Sequence, residues 1–503
     1  MSVSIDAAPA GRTVFGHPRG LYTLFFTEMW ERFTYYGMRA LLVLFLVEAV
    51  AHGGFGLDDK TATAIYGLYT AAVYLVALPG GWIADRLIGA QRSVWWGGVL
   101  IMLGNVLLAV AVGPPTFYTG LVVIILGVGL LKPNISAIVA ELYPEGGGRR
   151  DAGFTVFYMG INLGAFIGPL ITAWLAQAYG WGAGFFSAAV GMGLGLIQFH
   201  LTKHHLLGAG AEPHYHAGED PARVKKRGWQ WVIGATLVLV AVIAAGFTGA
   251  LPFDPVALAR GTTFLIVAMA AGFFAYLLLF AGLDAVERRR IVVVLVLFIA
   301  CVVFWSGFEQ AGSSLNLFAE RYTDRVVNSI GFEIPAGWFQ SLNPIFILLF
   351  APVFSAVWVG LAKRNLDPSA PAKFALGLIL MGLGFLVMVE ASHLIASGDK
   401  VLPYWLIFTY MLHTFGELCL SPVGLSSVTK LAPQRFVGQI MGIWFLATSL
   451  GNLVAGLIAG EFDADNVAAM PGQYFQIVLF SVIAGAVLLL IARPVQKLAG
   501  GVR

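Results

Sequence analysis

The chain has 503 residues, of which 58% are hydrophobic and only 11% charged, against about 25% charged in ordinary soluble domains. So few charges cannot cover the exterior of a water-soluble fold of this length, and lipid is the solvent that fits. The formal charge of +3 comes without a dense basic patch interleaved with aromatics, which argues against nucleic acid as a partner.

Residues 1–20 are polar, and the apolar run after them is too long for the core of a cleavable signal, so it reads as a retained first span. Stretches of bilayer-spanning length, about 20 residues, follow in chain order. The first six lie near 21–49, 61–84, 93–113, 116–140, 152–175 and 181–201. A polar stretch, 202–228, precedes two more near 229–250 and 261–283. The last six lie near 291–319, 338–361, 372–391, 402–428, 436–460 and 473–494.

The expected fold is an all-α integral membrane protein of about 14 transmembrane helices. Its layout is six, two and six: an N-terminal bundle over 1–201, a linker with two extra helices over 202–284, and a C-terminal bundle over 285–503. Two six-helix bundles suggest a transporter that holds substrate near the midplane.

Most of the 30 Lys and Arg fall on the side of the N-terminus, including Arg149 and Arg150, Lys225 to Arg227, Arg288 to Arg290, and Lys363 with Arg364. The positive-inside rule then places both termini in the cytoplasm. His204, His205, His214 and His216 lie in the polar stretch and read as a solvated linker rather than a metal site. Cys301 and Cys419 fall inside apolar runs and read as buried free thiols.

Some charges stand where lipid should not admit them. Ionisable residues at the bilayer centre cost about 2.5–3.5 kcal/mol on insertion scales and mark wet functional cavities. In the first span Glu28, Glu31, Arg32, Tyr35, Tyr36 and Arg39 recur at helical spacing along one face. Arg39 lies about 27 Å into the span at 1.5 Å per residue, too deep for a side chain snorkelling from the end. Lys132, Glu309 and Glu417 each sit near the middle of a further span. Four acids against three bases leave one unmatched carboxylate, which in a low-dielectric site is able to take a proton near neutral pH. The bases Arg32, Arg39 and Lys132 belong to the first bundle, and Glu309 and Glu417 to the second. That polarity suits a zwitterion.

These residues also carry a resemblance. Glu28, Glu31, Arg32, Phe33, Tyr35, Tyr36 and Gly37 resemble the first-span signature of the proton-dependent oligopeptide transporter family, a branch of the major facilitator superfamily, and the two extra helices resemble its bacterial members. The motif of Gly80, Gly81, Asp85, Arg86, Gly89 and Arg92 is similar to the superfamily's loop motif. Phe157, Tyr158, Ile161, Asn162 and Gly164 resemble the family's fifth span. Three segments of later spans also resemble the family: Phe308 to Gln310 with Gly312 to Ser314, Trp338 to Ser341 with Asn343 and Pro344, and Glu417 and Leu418 with Ser421 and Pro422.

The resemblance covers nearly the whole chain. It implies proton-coupled import of di- and tripeptides, and of peptide-like drugs, by alternating access. No enzyme activity, metal or cofactor beyond the proton is implied. Arg32 and Lys132, with Arg39 nearby, would receive the peptide carboxylate. Glu417, Asn162 and Asn343 would hold the amino terminus, with Ser421 in the same motif. Tyr36, Tyr74, Trp305 and Trp444 would line the cavity. Glu28, Glu31 and Glu309 would carry proton coupling, with Arg39 and Glu309 paired when the site is empty. Asp85 and Arg86 would brace a cytoplasmic loop. The short outer loop near 396–403 leaves no room for the large extracellular domain of animal members. The implied home is a bacterial inner membrane, and the implied state a monomer.

Blander readings stand beside these roles. Asn162 and Asn343 also suit helix-to-helix hydrogen bonds. Tyr74 and Trp305 suit ordinary packing, His413 a packing role one turn from Glu417, and Trp338 an interfacial aromatic belt. Three other functions remain: a drug or anion as cargo, a peptide sensor without transport, and a membrane-embedded enzyme, which would need a nucleophile–base pair or a metal set. Nitrate-carrying plant relatives lack the paired acids of the first span, which are intact here.

Overall fold

A computed structural model describes residues 13–215, 218–251, 253–462 and 466–500. The helices are α1 (Arg19–Val47), α2 (Asp59–Ile83), α3 (Ala90–Ala109), α4 (Pro114–Glu141), α5 (Gly147–Tyr179), α6 (Trp181–Thr202), α7 (Pro221–Phe247) and α8 (Pro255–Leu279). They continue with α9 (Ala285–Phe308), α10 (Ser314–Tyr322), α11 (Leu342–Lys363), α12 (Ala370–Ala396), α13 (Tyr404–Leu431), α14 (Val437–Ala459) and α15 (Met470–Leu498). Among the described residues 13 helical segments are long and apolar enough to cross a membrane, α9 and α10 together forming one. α1 adds another segment of sufficient length, 29 residues carrying Arg19, Glu28, Glu31, Arg32 and Arg39. A short antiparallel pair, Val326–Val327 with Phe332–Glu333, decorates the connection from α10 to α11.

Local chemistry sets several helix starts. Asp220, Asp254 and Asp284 each cap a helix by accepting backbone N–H groups, and Pro221 and Pro255 occupy first positions where no N–H is needed. Asp284 and Glu287 form a reciprocal capping box. α7 therefore begins at Pro221, not near 229 as the sequence suggested. Arg223, Lys225, Lys226 and Arg227 occupy its first turns. Charges need water, but they do not need a loop.

The expected single span over 291–319 is also broken. α9 stops at Phe308, Glu309–Gly312 form a 3₁₀ turn, and Ser313 leaves helical geometry at φ −123° and ψ −98° before α10 starts. Gly312 lies hard against α2, where an added Cβ would come within 2.1 Å of the Tyr66 hydroxyl. Gly312→Ala is therefore expected to destabilise the protein by about 1–3 kcal/mol through overpacking. The fall would be read as a lower melting temperature in detergent.

The chain divides into two compact units, Met1–Met38 with Val76–Gly168 and Phe185–Pro252, and Arg39–Leu75 with Pro169–Gly184 and Phe253–Arg503. In the first, α3 lies along α4, and α7 touches α4 and the π turn at Ala84–Ile88. In the second, α12 packs on α13 and α15, and α9 on α14, around Phe304, Phe374, Phe385 and Tyr474, all fully buried. α8 leans on α9 and α14. Leu237 and Val238 of α7 and Phe264 and Leu265 of α8 stay exposed, an apolar surface suited to lipid rather than water. Cys301 and Cys419 are buried and unbridged.

Candidate functional site

In the first unit, α1 builds a buried charge cluster. Glu28 and Arg32 are four residues apart, a spacing that brings side chains together on a helix. Arg32 Nε lies 3.1 Å from Glu28 Oε1 and also donates to Glu31 Oε2. Its guanidinium lies 5.2 Å from the centroid of the Tyr35 ring. All three charged residues are at most 4% exposed. Lys132 of α4 is half-buried and close enough to act on Glu28 electrostatically, so two acids meet two bases. Glu28 Oε2, Glu31 Oε1 and Arg32 Nη2 are buried without a hydrogen-bond partner among the described residues. An unpaired buried polar atom costs about 1–3 kcal/mol, so the cluster has two carboxylate acceptors and one guanidinium donor with hydrogen-bonding capacity to spare.

Tyr36 is half-buried, edge-on to Tyr35 with ring centroids 5.2 Å apart. Asn162 is buried on α5 and its Nδ2 donates to Tyr158 O, one turn back, at 3.0 Å.

The second unit holds the other cluster. Arg39 Nη1 donates to Glu309 Oε2 at 3.1 Å, and Arg39 Nε to Gln340 Oε1 at 3.2 Å. The Tyr66 hydroxyl donates to the same Glu309 oxygen at 3.3 Å. Arg39 and Glu309 are each 5% exposed, so the pair is desolvated. Removing one partner of such a pair costs about 3–5 kcal/mol. The break after Phe308 is what turns Glu309 out of regular helix. Tyr410 supports the same turn, donating to Ala311 O at 3.2 Å.

Glu417 of α13 accepts from Asn343 Nδ2 at 2.9 Å, and the same amide lies 3.1 Å from Thr414 Oγ1. Among the described residues Glu417 has no salt-bridge partner, yet Glu309 and Arg39 act on it electrostatically. Arg39 is ion-paired with Glu309, while Glu417 is held by the Asn343 amide. The sequence counted one acid too many, and the excess lies in this second cluster. Asn343 makes a helix-to-helix bond from α11 to α13, and its acceptor is one of the expected site residues.

The remaining candidates divide between packing and exposure. Trp305 is half-buried, edge-on to Phe308 at 5.2 Å. Trp444 is buried beside Phe374, ring centroids 6.2 Å apart. Tyr74 is half-buried on α2. The Ser421 hydroxyl is buried and without a hydrogen-bond partner among the described residues. His413 is buried against the Phe385 ring at 4.7 Å. Trp338 is half-buried, and its Nε1 donates to Leu170 O at 2.8 Å, fastening the 3₁₀ turn that carries Gln340 to α5.

At the loop motif, Arg86 forms a double hydrogen bond with Glu219, at 2.6 and 3.1 Å, and donates to His214 O at 3.3 Å. Asp85 is exposed and contributes its backbone carbonyl to the His214 N–H at 2.7 Å. His214 and Glu219 of the linker are thus held against the loop motif. Arg86→Ala is expected to raise the rate of limited proteolysis between 207 and 218 by about two- to fivefold, the scale of a partly exposed ion pair. Unchanged cleavage would show that the backbone contacts suffice. Among the described residues no group of three His, Cys, Asp or Glu is placed to hold a metal ion, and His216 lies outside those residues.

Tyr66 and Gln340 escaped the sequence reading of the site. A tyrosine in an apolar helix reads as packing, and Gln340 was visible only as part of the Trp338 motif.

Buried ionisable groups on several membrane-spanning helices define the class of a secondary transporter. A family model described as the POT family matches residues 91–477. The chain is 44% identical over 499 residues to the peptide transporter YePEPT of Yersinia enterocolitica, with 97% of each chain covered. It is 38% identical over 502 residues to a di-/tripeptide transporter of Lactococcus lactis subsp. cremoris, with 98% of each covered. A crystal structure of the peptide transporter POT in complex with sulfate matches with a TM-score of 0.88, at 41% identity and 97% coverage of both chains. The chain belongs to the POT family, and its fold is the all-α major facilitator type.

Proposed function

We infer that the chain is a proton-coupled symporter that imports di- and tripeptides by alternating access. The observation that carries this reading is the buried Arg39–Glu309 pair with Glu417 beside it, an excess carboxylate in a desolvated cluster. Relatives named as peptide and di-/tripeptide transporters, matching over almost the whole chain, support peptides as cargo.

The chemistry follows from the charges. Protonation of Glu309 removes the anion that holds Arg39. The freed guanidinium can then receive a peptide carboxylate, the role the sequence also suggests for Arg32 and Lys132. Glu417 takes the peptide ammonium, with Asn343 fixing its carboxylate and Asn162 supplying a further amide. Glu28 and Glu31 hold Arg32 and are the second pair of carboxylates on which a proton can ride. Tyr36, Tyr74, Trp305, Ser421 and Trp444 shape the space around the peptide. Asp85 and Arg86 brace the linker during the conformational cycle.

Supporting the placement, the Lys/Arg bias favours both termini in the cytoplasm, and the bacterial relatives favour the inner membrane. The six, two and six division at 201 and 284 and a monomeric state belong to the same reading.

Competition of labelled dipeptide uptake in proteoliposomes tests the cargo. Unlabelled di- and tripeptides should compete, while free amino acids and nitrate should not. Competition by nitrate or by an unrelated drug, with none by peptides, would overturn the peptide assignment and leave the transporter fold standing.

A further inference from the structure

A cavity lies in the first unit, lined by none of the residues of the two charge clusters. It has a volume of about 600 Å³, and its walls include Arg92 and Trp95 of α3, His200 of α6, and Lys203, His204 and Glu212 of the linker. Among the described residues neither Arg92 nor Lys203 has a salt-bridge partner. Two permanent cations and two imidazoles face a single carboxylate, so the walls carry a surplus of positive charge.

The cavity is built rather than left over from a loose loop. Gln91 fixes the linker wall twice, its N–H donating to Gly210 O at 2.8 Å and its Nε2 to Ala209 O at 2.7 Å. Gly210 N–H donates to Glu141 Oε2 at 2.6 Å. Gly89 has φ +83°, and an added Cβ would come within 2.5 Å of Ala211 O, so the linker is seated directly on the turn before α3.

Position narrows the ligand. The cavity joins the first turn of α3 to the last turn of α6, so it opens at the depth where a span meets the membrane surface, on the end rich in Lys and Arg. Trp95 stands there with its ring 5.6 Å from His200, as interfacial tryptophans do. Trp96 of α3 and Ile197 and Leu201 of α6, close along the same helices, are exposed apolar side chains able to lie along acyl chains. We propose that this cavity is a binding site for a phosphate-bearing anion, the headgroup of an anionic phospholipid, which ties the linker to α3 and α6. Basic pockets between transmembrane helices recognise such headgroups by charge.

Titration of the full-length protein with phosphatidylglycerol, read by native mass spectrometry and by melting temperature, tests the site. Arg92→Gln combined with Lys203→Gln is expected to weaken phosphatidylglycerol binding by about 30-fold and to leave phosphatidylethanolamine binding unchanged. Lys203→Glu alone, a single exposed reversal, should weaken it further than Lys203→Gln. Protection by inorganic or glycerol phosphate, lost in the same variants, would keep the site and assign it to a soluble phosphate. Equal phosphatidylglycerol binding by wild type and by the folded double and reversal variants would overturn the proposal.

Discussion

Glu309→Gln is expected to keep peptide counterflow and lose proton-driven accumulation. The amide retains the shape of the side chain and an oxygen that accepts from Arg39 Nη1, a bond of 3.1 Å in the native pair, and Gln340 continues to engage Arg39 Nε. The buried guanidinium is therefore not stranded, and the fold should survive. A glutamine, however, cannot exchange a proton. With an inward gradient of one pH unit, each coupled proton supports about tenfold accumulation. In the variant the internal to external ratio should fall to about one, while exchange of labelled for unlabelled peptide continues. Normal accumulation would move the coupling to Glu28 and Glu31.

Glu417 should govern affinity for the free amino terminus. Its carboxylate is half-buried, held by Asn343 and not by a cation among the described residues, which leaves it as the natural partner for an ammonium. Truncating one member of a desolvated charge pair costs about 2–5 kcal/mol. Glu417→Ala is thus expected to raise the KM for a zwitterionic dipeptide by at least about 30-fold. The same substitution should alter transport of an N-acetylated dipeptide far less, since that ligand has no ammonium to lose. Equal losses for both peptides would assign Glu417 to the architecture instead.

Much of this was legible in the sequence because lipid is so restrictive a solvent. Spans announce themselves by length, and an arginine as deep as Arg39 needs a partner that hydrophobic packing cannot supply. The spacing of Glu28 and Arg32 likewise foretold a contact on one helix face. What escaped detection depends on neighbours distant in the chain. The break after Phe308 has no proline to signal it; Gly312 needs the Tyr66 ring from α2 to explain it. The hydrogen bond of Trp338 could not be foreseen because its acceptor, Leu170 O, lies 168 residues away. The start of α7 was misplaced for a different reason: the signals at Asp220 and Pro221 were present, but the basic run after them drew the boundary toward 229.

The central claim is that peptide movement is tied to proton movement. Uptake of a labelled dipeptide into proteoliposomes holding the purified protein, with and without an inward proton gradient, measures that directly. Accumulation about tenfold above equilibrium is expected for a one-unit gradient and one coupled proton, collapsing to equilibrium when a protonophore is added. Uptake that reaches the same level at the same rate with the gradient present, absent or dissipated would contradict it.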